Sequence, residues 1–275
     1  AATLAAAGVA SPEWDAERLL RHVLGWDRAA LFASPEHVVP RPEEERFRAL
    51  VRRRASREPL QYILGRQAFW KHEFLVTPAV LIPRPETELL VEVSLELLKN
   101  VERPLIVDVG TGSGCVALSL AFERPDAEIH ATDISGSALE VAGENARRLG
   151  LEDRVTLHQG DLLEPVVSLS GKIDLVVSNP PYVDPAERAS LASEVREHEP
   201  AEALFAPEPG ASVYSLITAP ASALVKPGGW LAFEVGQGTS HIVRGLCHAA
   251  GLAAVETRND LAAIPRVVVA QVPTR

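Results

Sequence analysis

At 275 residues, 47% of them hydrophobic and 23% charged, the chain can bury a substantial core without disulfide or metal staples, which excludes bulk disorder. Its net charge of -10 argues against nucleic acid as a direct substrate, because that affinity rests largely on Lys and Arg neutralising phosphates. No stretch approaches the ~18 consecutive apolar residues of a membrane span, and Cys115 and Cys247 lie far apart without metal-ligand spacing, which fits a reducing, cytoplasmic compartment.

The first ten residues are small and apolar but lack a basic leader, so they read as a helix start rather than a secretory signal. Ser11-Pro12-Glu13 opens a helix with Ser as N-cap and Pro at the first position. Trp14, Leu19, Leu20, Val23 and Leu24 then recur on one face, and Gly25 marks the stop. Pro42-Glu43-Glu44 starts another helix, with Phe47, Leu50 and Val51 on its apolar face. The run Arg52-Arg53-Arg54 reads as a solvated helical face. A small all-helical domain is therefore expected over residues 1–66.

Ala68 to Ile82 is extended, with Phe69, Trp70, Phe74, Val76, Val80 and Leu81, and Thr77-Pro78 breaks it in the middle. That pattern predicts a hairpin linker over residues 67–83. Pro83-Arg84-Pro85-Glu86-Thr87 opens a helix to about Lys99, the start of a third segment, residues 84–275. From Pro104 onward strands and helices alternate: strands at Leu105–Val109, Glu128–Thr132, Val155–His158 and Ile173–Ser178, with helices at Cys115–Phe122 and Gly136–Leu149. Further strands follow at Trp230–Val235, Ala254–Thr257 and Val267–Val269. Such alternation predicts an α/β fold, a mostly parallel sheet with helices on both faces.

The first of these strands runs directly into Gly110-Thr111-Gly112-Ser113-Gly114 and then a helix. Glycines there let the backbone approach a ligand, and the helix N-terminus offers N–H groups to an anionic group. Asp133 ends the second strand, where a carboxylate can accept both hydroxyls of an adenosine ribose. NAD and S-adenosylmethionine both offer that ribose, so this pair by itself leaves the cofactor open. Gly160-Asp161-Leu162 closes the third strand.

The fourth strand ends in Asn179-Pro180-Pro181-Tyr182. Two consecutive prolines remove two backbone donors and hold two φ angles, giving a stiff loop at the ligand edge of the sheet. An amide or aromatic amine nitrogen is a poor nucleophile because its lone pair is delocalised. The Asn179 side-chain oxygen and the Pro180 carbonyl can each accept one of its N–H groups, and the Tyr182 ring can pack on the planar group. Glu234, at a strand's end, is open to a structural or a site role, and the scattered histidines form no ligand cluster, so no metal is expected.

The loop Val107-Asp108-Val109-Gly110-Thr111-Gly112-Ser113-Gly114 resembles the first motif of class I methyltransferases. Asn-Pro-Pro-Tyr is shared by methyltransferases of adenine N6, guanine N2 and glutamine N5. The wider pattern resembles the release factor glutamine methyltransferases, the HemK/PrmC family. It is carried by Glu58-Pro59-Leu60-Gln61-Tyr62-Ile63-Leu64-Gly65, Leu81-Ile82-Pro83-Arg84-Pro85-Glu86-Thr87-Glu88, Glu199-Pro200-Ala201-Glu202-Ala203-Leu204 and Glu234-Val235-Gly236-Gln237-Gly238.

That resemblance implies a helical N-terminal substrate-recognition domain, a hairpin linker and a Rossmann-like seven-stranded methyltransferase domain. It implies methyl transfer from S-adenosylmethionine, leaving S-adenosylhomocysteine, to the glutamine of the Gly-Gly-Gln motif in class 1 peptide chain release factors. Gly110 to Gly114, Asp133, Leu162 and Asn179 would then contact the cofactor, and Asn179, Pro180, Pro181 and Tyr182 the glutamine. The chain departs from the family at Leu162, where some relatives carry a larger aromatic residue. It departs again at Phe205-Ala206-Pro207-Glu208-Pro209-Gly210, where an Asp-Gly-Leu stretch is common. Two other readings stand beside this one: an N-methyltransferase of adenine or guanine amino groups in DNA or RNA, and a cofactor-binding module without turnover.

Overall fold

The computed structural model describes residues 1–206 and 212–274, so most of the departure after Ala206 lies outside the described residues. The chain forms two compact units, residues 1–66 with 191–198 and residues 67–190 with 199–275.

The first unit contains α1 (Ala2–Ala6), α2 (Pro12–Leu24), α3 (Arg28–Ala33), α4 (Arg41–Ala55) and α5 (Leu60–Leu64). Gly25 and Gly65 end α2 and α5 in the left-handed conformation, the stop signals read from sequence. Leu19, Leu60, Ile63 and Leu64 form the core, with Phe47, Leu50 and Val51 packed against it. Trp14, assigned to the buried face of α2, is instead exposed beneath the Arg28 guanidinium.

The arginine run is also corrected. Successive helical residues point about 100° apart, so the three arginines cannot share one environment, and Arg54 is buried. Its Nε donates to Asp15 Oδ2 at 2.7 Å and its Nη2 to Glu194 Oε1 at 3.0 Å. Arg57 Nη2 donates to the other Glu194 oxygen at 2.6 Å. Glu194 stands on a short helix, Ser193–His198, that this unit takes from far along the chain.

The second unit begins around a hairpin of β1 (Arg66–Phe69) and β2 (His72–Leu75). Its turn lies at Trp70-Lys71, not at Thr77-Pro78. Trp70 adopts a positive φ of 54°, and two glutamates hold it there. Its backbone N–H donates to Glu88 and its indole N–H to Glu123, at 2.8 and 2.7 Å. After a 3-10 turn at Pro85–Thr87 come α6 (Glu88–Leu97), β3 (Leu105–Val109), α7 (Cys115–Glu123), β4 (Glu128–Asp133), α8 (Gly136–Leu149), β5 (Val155–Gln159) and β6 (Ile173–Ser178). Beyond α9, the Ser193–His198 helix of the first unit, follow α10 (Ala201–Leu204), α11 (Ser212–Leu224), β7 (Val225–Glu234), α12 (Ser240–Ala249), β8 (Ala253–Asn259) and β9 (Pro265–Gln271).

The seven strands run in the order β5-β4-β3-β6-β7-β9-β8. All neighbours from β5 to β7 are parallel, and β9 is antiparallel to both its neighbours. Two hydrophobic clusters are built on the sheet, one including Ile106, Leu118, Ile129 and Val177, the other Val107, Val176, Ile217 and Phe233. Burial on both sides explains why β3 and β6 read as nearly unbroken apolar runs. Strand order reverses between β3 and β6, and ligands bind at such switch points beyond the carboxyl ends of strands.

Candidate active site

Register decides which loops meet. Val109 pairs with Thr132 on one side and with Ser178 on the other. The next residues along the chain, Gly110, Asp133 (the last of β4) and Asn179, are therefore brought to one edge. Ser178 Oγ donates to the Val109 carbonyl at 2.7 Å and ties the two central strand ends together.

The glycine loop is clamped on several sides. Gly110 and Thr111 N–H groups both donate to the Thr132 carbonyl, at 2.9 and 3.0 Å. Asn145 of α8 donates to the Ser113 carbonyl at 2.9 Å while bonding both backbone groups of Leu75 on β2. Gly114 starts α7 at φ 81°, and a Cβ there would sit 3.0 Å from Leu118 and 3.3 Å from Ala142. A side chain is excluded on two grounds, backbone conformation and close packing.

A cavity of about 320 Å³ opens at this edge. Gly110, Thr111, Gly112, Ser113, Asp133, Leu162, Asn179 and Pro181 line it, as the sequence reading expects. Gly114, Pro180 and Tyr182 do not. Gly114 turns the chain into α7, Pro180 is buried, and the Tyr182 ring packs against Gly236, whose Cβ would fall 2.9 Å from it. Burial, then the nearby Glu234 charge, push the Tyr182 phenol up to about 12. Leu162 has a positive φ of 46°, and its carbonyl accepts the Thr132 hydroxyl at 2.8 Å.

The cavity is acidic. Asp108, Asp133, Asp161 and Glu202 line it, and among its described lining residues only Arg84 is basic. Arg84 is already committed to the buried Glu199 at 2.5 Å, and Glu199 also accepts the Ile82 N–H at 3.2 Å. Burial pushes Asp108 up to about 7, against the hydrogen bonds that Thr111 and Ala117 donate to it. Burial also raises Asp133, and Glu202 adds to the shift.

Two features bear on which ligand fits. Asp133 Oδ2 accepts the Gly112 N–H at 2.8 Å and Oδ1 the Ser135 N–H at 2.9 Å. Each carboxylate oxygen thus retains acceptor capacity, a match for two adjacent hydroxyls. The N-terminus of α7, expected to offer its N–H groups to an anion, has one of them taken: Ala117 donates to Asp108 at 3.2 Å. An acidic cavity whose Arg84 is already paired disfavours a pyrophosphate and favours a ligand carrying positive charge.

Several contributors were not singled out from the sequence. Thr87, Asp108, Glu202 and Phe205 line the cavity, and Asn145 braces its loop. Asp108 stood inside the glycine motif and was legible there. Thr87 and Asn145 reach the site only through contacts 92 and 32 residues distant in the chain.

The sheet order, the glycine loop at the switch point and the ribose-type carboxylate beside it define a class I methyltransferase. The fold is shared with a methyltransferase from Pyrococcus furiosus, at 16% identity and a TM-score of 0.53, covering 75% of this chain and 91% of that one. Residues 1–65 match the PrmC N-terminal domain and residues 86–201 the methyltransferase small domain. The release factor glutamine methyltransferase of Xylella fastidiosa is 42% identical over 94% of this chain and 93% of its own. That of Moorella thermoacetica is 46% identical over 90% and 87%. This chain belongs to the release factor glutamine methyltransferase family.

Proposed function

We propose that the enzyme transfers a methyl group from S-adenosylmethionine to the side-chain amide nitrogen of the glutamine in the Gly-Gly-Gln motif of class 1 peptide chain release factors. The observation that carries this reading is the convergence of Asn179 and Pro181 with Asp133 and the glycine loop on one acidic cavity. The residues present fit this cofactor: the carboxylates of the cavity would suit its sulfonium and ammonium, and Asp133 would accept its ribose hydroxyls. The backbone of Gly110 to Ser113 and the Leu162 side chain complete its expected contacts. When bound, it supplies an electrophilic methyl group.

The chain's own residues do the rest. Asn179 Oδ1 and the Pro180 carbonyl each accept one N–H of the substrate amide, which turns its nitrogen lone pair toward the methyl donor and favours the developing sp³ geometry. Asn179 Nδ2 donates to Thr87 Oγ1 at 3.3 Å, so the amide group has its nitrogen side engaged and its oxygen side available. No general base is needed for attack: as the N–CH3 bond forms and the S–CH3 bond breaks to leave a neutral thioether, the nitrogen becomes acidic and loses its proton to water. The helical unit would serve substrate recognition. Among the described residues no helix is long and apolar enough to cross a membrane.

The test offers labelled S-adenosylmethionine with release factor, tRNA, ribosomal RNA and DNA in parallel. Label is expected on release factor and lost when its Gly-Gly-Gln glutamine is replaced. Label on nucleic acid alone overturns the reading. Asn179→Ala is expected to lower kcat by about 10²–10³, the effect of removing one preorganised polar contact to a transition state, while S-adenosylhomocysteine still binds.

A further inference from the structure

Behind Asn179 lies a short buried chain of polar groups. Asn179 Nδ2 donates to Thr87 Oγ1, and the Thr87 hydroxyl hydrogen-bonds the Glu234 carboxylate at the end of β7. Thr87 and Glu234 are each only 2% exposed, and Glu234 Oε2 has no hydrogen-bond partner. A buried carboxylate with an unpartnered oxygen is costly for folding alone.

Its effect on Asn179 follows from donor and acceptor chemistry. An ionised carboxylate only accepts, so the single Thr87 proton must point to Glu234. The Thr87 lone pairs then face Asn179, which must present its NH₂ to them. The amide oxygen is left as the group offered to substrate. The opposite flip would present NH₂ to the substrate's own N–H groups, donor against donor. We infer that Glu234, acting through Thr87, is the positioning residue that holds the Asn179 amide in its acceptor-forward orientation. The inference rests on the glutamine-amide reading above.

The surroundings of Glu234 make the device sensitive to pH. Arg84 and Glu86 face it from the segment before α6, Cys115 from the start of α7, Tyr182 from the catalytic loop, Tyr214 from α11 and Arg266 from β9. Burial pushes the carboxyl up to about 7, Glu86 adding to the shift and Thr87, Arg266 and Arg84 opposing it. A protonated Glu234 can donate to Thr87, which lets the hydroxyl turn and the amide flip. Turnover should therefore rise as pH increases through neutrality.

The experiment measures kcat, the KM for release factor and S-adenosylhomocysteine affinity between pH 6 and 8.5 (a window of about one unit or more on each side of neutrality) for wild type, Thr87→Val, Thr87→Ser and Glu234→Gln. Thr87→Val is expected to lose about 10² in kcat, the cost of slight misplacement of a reacting group, with product affinity retained. Thr87→Ser keeps the hydroxyl and should recover most of the rate. Glu234→Gln should lose the acidic limb of the wild-type profile, a readout that a merely structural role would not move.

If Thr87→Val fails to fold, judged by loss of a cooperative thermal transition, the Glu234→Gln profile decides alone. Wild-type kcat in Thr87→Val, or an unchanged acidic limb in Glu234→Gln, overturns the relay while leaving the substrate reading intact. A wild-type enzyme that does not label release factor overturns the substrate reading, and the relay falls with it.

Discussion

The helical unit pairs its inner acids with arginine, whereas the methyltransferase unit pairs some, Glu199 with Arg84 and Asp174 with Lys226, and leaves others without a cation. In the helical unit Asp15 and Glu194 are bonded to Arg54, and Glu194 to Arg57 as well. In the methyltransferase unit Asp108 and Glu234 are buried and Asp133 half-buried, their hydrogen bonds come from backbone N–H or hydroxyl groups, and burial raises all three. A paired acid binds segments of chain together. An unpaired one is a standing cost that a bound ligand of positive charge can offset. The contrast separates carboxylates that hold the fold from carboxylates kept for chemistry.

The largest effect is expected where pairing is complete. Arg54→Ala leaves the buried Asp15 carboxylate without its cation and should destabilise the helical unit by about 3–5 kcal/mol, read as a lower urea midpoint of the full chain. A loss as small as that of an exposed pair would break the comparison.

Next comes the cavity. Asp133→Asn removes a charged acceptor and should weaken S-adenosylhomocysteine binding by about 1.5–3 kcal/mol, measured by calorimetric titration, with little loss of stability in the free protein.

The third effect concerns pH. Asp108 and Glu234 titrate near 7 when folded, against ordinary values of 3.8 and 4.5. Between these limits the folded state binds more protons than the unfolded one, so stability falls as pH rises. The ligand-free enzyme should therefore have a higher Tm at pH 5 than at pH 8. Asp108→Asn keeps an oxygen for Thr111 and Ala117, and should flatten that slope by on the order of 1–3 kcal/mol. A steeper slope in that variant would contradict the assignment of Asp108 as an unpaired acid.

The smallest effect sharpens the contrast from the other side. Arg48→Ala removes an exposed i,i+4 pair with Glu44 and should cost under about 0.5 kcal/mol, checked by the same urea titration.

What was legible in the sequence was local. The strand into Gly110–Gly114, the carboxylate of Asp133 and the rigid Asn179-Pro180-Pro181-Tyr182 loop each follow directly from a strand end. Apolar runs and glycine stops place those ends. The hairpin was visible as an extended segment, but its turn was read at Thr77-Pro78. At Trp70-Lys71 the positive φ is held by Glu88 and Glu123, partners remote in sequence. Arg54 read as solvated because Asp15 and Glu194 lie 39 and 140 residues away.

The sequence by itself therefore determined the alternation that makes the sheet, the two loops that carry the chemistry and the family to which the chain belongs. These depend on periodicity and on residues a few positions apart. Only the tertiary structure decided that Asn179 rests on Thr87 and Glu234, that Asp108 takes an N–H of α7, and that the cavity is acidic with its Arg84 already paired. Hydrogen bonds and burial act between atoms that folding brings together, and no spacing along the chain records them.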